Sequence, residues 1–303
     1  MSKINPKIDF AFKKLFGSEN NKDLLISLIN SIISEDEKIK SVQLRNPYNL
    51  ADYRAGKMSI LDIKAEDEKG HWYNIEMQIG EDLNYDKRAI YYWSKMVTEQ
   101  LSEGMMFKHL NKTISINILD FNIVEANPNY HNLYKILNVE TGKNDDMHDM
   151  FELHYIELKK FRKHYEDIAN TLDRWITFLT KANKLDRQNL PKELSDDHEI
   201  VKAFEEVDRM FNEDEREMYN IRLQQQMEFE SKLDSAKEKG REEGLEEGME
   251  KGLEKGMEKG LEKGLEKGKI GIAKKMLKKN MSIDVIIEMT DLTKEEIENL
   301  KKI

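Results

Sequence analysis

The sequence predicts an α/β or α+β domain over roughly the first 160 residues, followed by a mostly helical region. Two amphipathic helical segments come first, and a hairpin of alternating apolar and polar residues follows them. A long helical segment rich in aromatic residues then separates the hairpin from further segments that alternate or run apolar. Because strand-like and helix-like segments alternate, we expect a sheet flanked by helices.

Composition limits the classes of protein that remain. The chain has 303 residues, of which 36% are charged, with a formal net charge of −10 and no cysteine. This length allows two or three domains with a real core, and the lack of cysteine excludes disulfides and favours a reducing cytoplasm. No N-terminal apolar signal and no run of about 18 apolar residues occurs, so we expect no export and no membrane span. The acidic balance argues against strong sequence-independent nucleic-acid binding but allows a local basic groove.

The segments that predict this fold follow one another closely. Residues 8–16 carry apolar side chains at helical spacing and end at Gly17, and residues 21–33 repeat the amphipathic pattern. Residues 39–48 indicate a short strand that ends at a proline turn. The hairpin, the aromatic helix and three further strands are predicted at residues 59–80, 85–104, 112–124, 132–140 and 150–158.

The pattern is helical from Tyr165 to Glu230, and a repeat tract follows in which glycine recurs at every fourth position from 240 to 268. Between the glycines the sequence settles to Leu/Met-Glu-Lys. An apolar row with this period advances about 40° per repeat around an α-helix, so it stays against a partner only in a right-handed supercoil. The tract is either a flexible charged linker or a helix that self-associates, and the regular Leu and Met residues favour the helix.

The last segment predicts three short helices in the layout of a helix-turn-helix. Ser282 and Thr293 stand at N-cap positions, and Thr293 with Glu296 makes a capping box. The last helix also carries Glu295 and Glu298, a poor surface for phosphates, so we interpret the segment as a packing or dimerisation cap. The predicted core, helical region, repeat tract and C-terminal segment span residues 1–162, 163–235, 236–269 and 270–303.

The polar face of the hairpin carries two carboxylates and an amide. If Gly70 takes the left-handed position of a three-residue loop, Asp62 lies directly opposite Glu76, and Gln78 follows on the same face. Facing side chains have Cβ atoms about 4.5–5.5 Å apart, where like charges are destabilising. Two such carboxylates share either a proton or a cation, and their oxygen ligands suit Mg²⁺, Mn²⁺ or Ca²⁺. The alternative is that both are solvated on the outer face of a two-stranded ribbon.

The segment "LDIKAEDEKGHWYNIEMQ" resembles the core of the PD-(D/E)XK nuclease superfamily, in the E-x-Q form of the recombination-promoting nuclease (Rpn) and transposase family. "NPKIDFAFKKLFG" resembles that family's N-terminal signature, and "YDKRAIYYWSKM" is similar to its aromatic helix. The resemblance covers roughly the first 230 residues, and the repeats and helical tail also resemble the family's C-terminus. It implies a restriction-endonuclease-like α/β core with a mixed sheet flanked by helices, then a helical region and a helical C-terminal tail.

The resemblance also implies metal-dependent cleavage of DNA. Asp62 and Glu76 would be metal ligands, and the backbone carbonyl of Met77 would complete the first shell. Gln78 stands where most of the superfamily has lysine, and an amide supplies no positive charge. Lys64, on the same face as Asp62, is the expected substitute.

Further candidates lie on the two helices nearest the hairpin. By the same resemblance Asp9 would be an additional acidic contributor or water ligand, while Lys13, Lys87 and Arg88 are candidate contacts to nucleic acid. Each has an ordinary alternative, because Asp9 also suits a helix N-terminus and the cations also suit a solvated surface. Lys64 likewise suits a surface ion pair.

The expected function is therefore a cytoplasmic DNA endonuclease that uses Mg²⁺, or Mn²⁺ or Ca²⁺, and assembles as a homodimer or larger oligomer through its C-terminal half. Recombination, mobile-element movement and defence fit the family. The alternative is a catalytically weak or inactive protein that oligomerises or binds DNA as an accessory, because Gln78 replaces the lysine and much of the chain is spent on repeats.

Overall fold

A computed structural model describes residues 3–46, 48, 62–144 and 149–301. The chain divides into two compact units, Met1–Glu230 and Ser231–Ile303. The predicted start of the hairpin, residues 59–61, lies outside the described residues. The predicted four-part division of the chain stays a prediction.

The first unit contains the strands and most of the helices. Its strands are β1 Val42–Leu44, β2 Ile63–Asp67, β3 Trp72–Gln78, β4 Thr113–Leu119, β5 His131–Lys135 and β6 Phe151–Glu157. Its helices are α1 Asp9–Phe16, α2 Lys22–Ile32, α3 Tyr85–Glu99, α4 Thr171–Lys181, α5 Lys192–Ser195, α6 His198–Arg209 and the first turns of α7, Glu213–Lys278.

The strands form one mixed sheet in the order β1-β2-β3-β4-β6-β5. Strands β1, β2 and β3 are antiparallel neighbours, β3, β4 and β6 are parallel, and β5 pairs antiparallel with β6. The chain enters β4 from β3 through α3, the kind of helical connection that parallel strands require. The predicted mixed sheet with flanking helices is confirmed.

The two faces of the sheet are covered differently, and this places the polar row of β3. Ile75 and Met77 face a large core built with α1, α2, α4 and α6, in which Phe12 and Trp175 are fully buried. The opposite face lies under α3, where Tyr85 and Ala89 pack in a smaller cluster with β4 and β6. Side chains alternate along a strand, so the even-numbered residues of β3 lie under α3.

The hairpin loop forms as predicted. Gly70 has φ of +85°, and the Asp67 carboxylate accepts hydrogen bonds from the backbone N–H groups of Lys69 and His71 at 2.8 and 2.9 Å. These bonds fix the loop and therefore the register of the two strands. Lys64 pairs with Asn74 and Ile63 with Ile75.

Helix α3 is shorter than predicted, because it ends at Glu99 and Gly104 lies in the turn beyond it. The side chain of Gln100 explains the end of the helix. Its amide donates to Thr113 Oγ1 at 2.8 Å and its carbonyl accepts from the N–H of Asn111 at 2.7 Å, which turns the chain towards β4.

In the second unit α7 runs through the whole glycine repeat, so the tract is helical. Helices α8, Ile283–Thr290, and α9, Lys294–Leu300, pack on the end of α7 through Ala273, Ile286 and Ile297. The predicted capping box of Thr293 and Glu296 is present, whereas Ser282 occupies an N-cap position without a side-chain hydrogen bond. None of the described helices is long and apolar enough to cross a membrane.

Candidate active site

Asp62 and Glu76 meet where β2 begins and β3 nears its end. The Ile63–Ile75 pairing makes them neighbours across the two strands. Asp62 Oδ2 accepts a hydrogen bond from the backbone N–H of Met77 at 2.8 Å, and the backbone N–H of Asp62 donates to Glu76 Oε1 at 3.3 Å. Each carboxylate is thus held by the backbone of the other strand.

The environment of this pair disfavours two negative charges. Glu76 is buried and Asp62 is half-buried. Desolvation, reinforced by the charge of Asp9 and opposed by the hydrogen bond from Met77, raises the pKa of Asp62 to about 6. Desolvation, followed by the charge of Asp62, raises the pKa of Glu76 well above its usual value. A bound cation would remove this cost, so the donors fit a hard divalent ion.

Arg88 on α3 brings a positive charge to the amide that follows the acidic pair. Its Nη2 donates to Gln78 Oε1 at 2.7 Å, and its Nη1 lies 3.1 Å from Asp82 Oδ2. Gln78 Nε2 in turn donates to the carbonyl of Gly80 at 3.1 Å. The charge of Arg88 opposes the rise in the pKa of both Asp62 and Glu76, so it acts on both members of the pair.

Helix α1 approaches the pair from the other face of the sheet. Asp9 begins this helix, and its Oδ1 accepts from the N–H of Phe10 at 2.7 Å. Lys13, one turn later, is buried, and its charge lowers the pKa of Asp62. The charges of Asp9, Lys13 and Arg88 thus all act on Asp62.

Two of the predicted site residues make their contacts away from the acidic pair. The ammonium group of Lys64 pairs with Glu99 and lies 4.8 Å from the centre of the Trp72 ring. Lys87 is exposed, and its Nζ donates to Asn84 Oδ1 at 2.9 Å. The positive charge beside Gln78 therefore comes from Arg88 on α3, the helix that follows β3 in the sequence, and not from Lys64.

Sequence reasoning missed a buried polar row behind Glu76. Asn74 lies two residues before Glu76 on the same strand face and is fully buried, and a hydrogen bond from its amide opposes the rise in the pKa of Glu76. Asn117 stands beside Glu76 on β4 and accepts from the hydroxyl of Tyr85 at 3.0 Å. The one signal in the sequence was a polar residue at every second position of a strand whose other neighbours are apolar.

A second acidic cluster lies at the other end of β4, where Glu37, Asp149 and Glu152 bring carboxylate oxygens within 4.8 Å of one another. Lys112 donates to all three, at 2.9 Å to Asp149 and 2.7 Å to Glu152, and Lys135 donates to Asp149 at 3.0 Å. Burial alone would raise the pKa of Glu152, but hydrogen bonds from His154 and the two lysines hold it far below its usual value. The lysines already balance this charge, unlike that of Asp62 and Glu76.

A mixed α/β sheet with flanking helices, whose antiparallel hairpin carries two carboxylates, is consistent with the restriction-endonuclease-like fold of the PD-(D/E)XK class. Residues 6–236, well over half of the chain, match the family model described as PD-(D/E)XK nuclease family transposase, and the chain belongs to this family. This membership confirms the predicted family and supports a nuclease- or transposase-like role. No curated protein and no solved structure matches the chain.

The end of the chain has its own family match. Residues 266–302 match the C-terminal HTH domain of the Rpn/YhgA-like nuclease family. The match supports the predicted helix-turn-helix layout, and it favours DNA binding over our interpretation of this segment as a packing cap. The glutamates of α9 do not account for such binding, and the signal for it in the sequence was the helix-turn-helix layout alone.

Proposed function

We propose that this protein is a divalent-metal-dependent DNA endonuclease, with Asp62 and Glu76 as metal ligands. The observation that carries the proposal is the cross-strand pair of carboxylates, each hydrogen-bonded to the backbone of the other strand, in a site where both have raised pKa values. Mg²⁺ is the ion we expect in the cell, with Mn²⁺ or Ca²⁺ as laboratory substitutes. The lack of cysteine supports a cytoplasmic location.

The chain's own groups have distinct roles in this proposal. Asp62, Glu76 and the backbone carbonyl of Met77 hold the ion, and Asp9 orients a water at its edge. When bound, the ion supplies a water of lowered pKa and neutralises charge on the phosphate. Arg88, oriented by Gln78, contacts the phosphate and supplies the positive charge that the Gln78 amide lacks.

The remaining lysine residues have weaker support as contacts to DNA. Lys13 is close enough to influence Asp62, so we propose that it contacts the cut strand beside the metal ligands. Lys64 and Lys87 point to Glu99 and Asn84, and we keep them only as outer contacts to the DNA backbone. Such contacts increase the affinity for DNA, and this gain shrinks as the salt concentration rises. They do not increase the cleavage rate.

Metal binding can be tested without cleavage. We expect Mn²⁺ to bind the wild-type chain in calorimetric titration and Glu76→Gln to abolish the binding heat, because the variant loses a charged ligand. Glu99→Gln is the matched control, since Glu99 is a carboxylate paired with Lys64 outside the site. Equal binding by wild type and Glu76→Gln would remove the metal assignment.

A second candidate function is an oligomerising, DNA-binding accessory protein that acts through its C-terminal half. The HTH match supports DNA binding, and the exposed apolar row of α7 supports association. The members of this row are each between 60% and 69% exposed and lie four residues apart: Leu245, Met249, Leu253, Met257, Leu261 and Leu265.

Association through this row has a direct test. We expect the wild-type chain to have at least the mass of a dimer in light scattering, because burying Leu and Met on a second copy removes apolar area from water. Changing Leu245, Leu253 and Leu261 together to serine should give a monomer. Changing Glu254, Glu258 and Glu262 together to glutamine is the control on the same helix, and a monomeric wild type would contradict the proposal.

A further inference from the structure

A small cavity of about 240 Å³ opens beside the acidic pair and is not explained by metal binding. The end of β3 forms one wall with Met77, Gln78 and Ile79. The start of α1 forms a second wall, and α7 forms the third. Its remaining lining residues are Lys7, Ile8, Asp9, Arg222, Gln225 and Gln226. We call it the α7 cavity.

Helix α7 is fixed against the first unit before it reaches the cavity. Glu215 pairs with Lys14 and accepts from the hydroxyl of Tyr48 at 3.0 Å. One turn later, the hydroxyl of Tyr219 accepts from the backbone N–H of Asn5 at 2.8 Å. These buried contacts hold the helix in place, so the side chains that follow reach the cavity from a fixed backbone.

The helix is also held beyond the cavity, at Phe229. A Cβ atom on Gly80 would lie 2.9 Å from Cε1 of the Phe229 ring, so the ring lies directly on this glycine. Residues 215, 219, 222, 226 and 229 are spaced four and three apart, which places them on one face of the helix. This face becomes polar between Tyr219 and Phe229, where it lines the cavity.

The polar groups of this helix wall are open to a ligand, because Gln225 is exposed and Arg222 and Gln226 are half-buried. Gln226 Nε2 donates to Glu230 Oε1 at 2.9 Å, which leaves its amide oxygen available on the cavity side. Arg222 Nη1 donates to Gln225 Oε1 at 3.3 Å, which orients both side chains at the cavity wall. A guanidinium group matches a phosphate, and carboxamides match the donor and acceptor edges of a base. The set of groups therefore suits a nucleotide.

We propose that the α7 cavity binds one unpaired nucleotide of the strand being cut, with Arg222 on its phosphate and Gln225 and Gln226 on its base edge. The cavity is smaller than typical pockets of about 300–1,000 Å³, so it suits one nucleotide and not a stretch of duplex. A base leaves the stack at least cost when it is unpaired, so DNA with an unpaired nucleotide binds best. Because the cavity adjoins the acidic pair, this inference rests on the proposed endonuclease function.

The test measures binding in EDTA, so no cleavage is needed. Fluorescence anisotropy compares a short labelled duplex that is fully paired with one that carries a single unpaired nucleotide. We expect the double variant Arg222→Ala and Gln226→Ala to weaken binding of the second probe about tenfold, and to reduce the salt slope by about one phosphate contact. Gln224→Ala is the matched control, since Gln224 is exposed and bonds to Glu228 on the same helix.

A second variant keeps the test valid if the double variant unfolds. Gln226→Glu keeps the shape of the side chain and adds a negative charge, so it should weaken binding of the same probe by a similar factor. Unchanged affinity and salt slope in a folded variant overturn the inference even where wild-type protein cuts plasmid DNA. Weakened binding in both variants supports the cavity even where wild-type protein cuts nothing, which would contradict only the proposed function.

Discussion

Replacing Glu76 with glutamine is expected to abolish cleavage of supercoiled plasmid DNA in Mg²⁺ or Mn²⁺ while raising the thermal stability of the metal-free protein. Loss of a metal ligand removes several kcal/mol of transition-state stabilisation, a loss of about a thousandfold in rate. Asp62→Asn should behave in the same way, because Asp62 and Glu76 act on one ion. Plasmid nicking rates and melting curves in EDTA measure the two effects.

The gain in stability follows from the raised pKa values. The folded chain keeps protons on Asp62 and Glu76 at a pH where the unfolded chain has released them, so the pair lowers metal-free stability as pH rises through about 6. Glu76→Gln removes one of the two charges, and its melting temperature should therefore fall less than that of the wild type as pH rises from about 4, where unfolded carboxyl groups ionise, to above 6.

The acidic cluster around Lys112 provides a control in which stability and cleavage should change in the opposite way to Glu76→Gln. Glu152 is buried with hydrogen bonds from Lys112 and His154, so Glu152→Gln removes the most deeply buried of the carboxylates that balance Lys112 and Lys135. Removing one member of a buried ion pair costs about 3–5 kcal/mol of stability. We expect this variant to lose stability and to keep its metal-dependent cleavage. If Glu76→Gln cuts at the wild-type rate, the site assignment is wrong whatever the melting curves show.

The sequence was sufficient for the hairpin because the pairing there is local. Alternation fixed which residues share a face, and Gly70 fixed the loop, so the juxtaposition of Asp62 and Glu76 followed from the register. The strand order of the sheet was not predicted. It depends on which distant strands pair, and the apolar runs of β4 and β6 fit several arrangements equally well.

The site residues show the same difference between local pairing, which the sequence predicts, and contacts between distant segments, which it does not. Lys64 is two residues from Asp62, which made it the obvious source of charge, but Glu99 at the end of α3 holds its ammonium group. Arg88 and Lys13 reach the site through packing of α3 and α1 on opposite faces of the sheet. Arg222 is 160 residues from Asp62 in the sequence, and no local pattern connects them.

Replacing Arg88 with alanine is expected to lower the cleavage rate by about a hundredfold to a thousandfold, the usual cost of removing one charge-stabilising donor. The fork geometry matters as well, because Gln78 accepts from Nη2 while Asp82 faces Nη1. Arg88→Lys should therefore recover only part of the rate. Lys87→Ala is the matched control on the next residue, where the side chain is exposed and bonds to Asn84.

The second half of this prediction is that Gln78 and Arg88 act as one unit. Gln78→Lys alone places a second cation against Arg88, repels it and should lower the rate. In the Arg88→Ala background the same lysine meets no guanidinium group and supplies the missing charge, so it should raise the rate. The two substitutions thus combine far from additively, as expected for side chains in direct contact. Additive effects would mean that Arg88 acts independently of Gln78, and the guanidinium group would then be a simple contact to the DNA backbone.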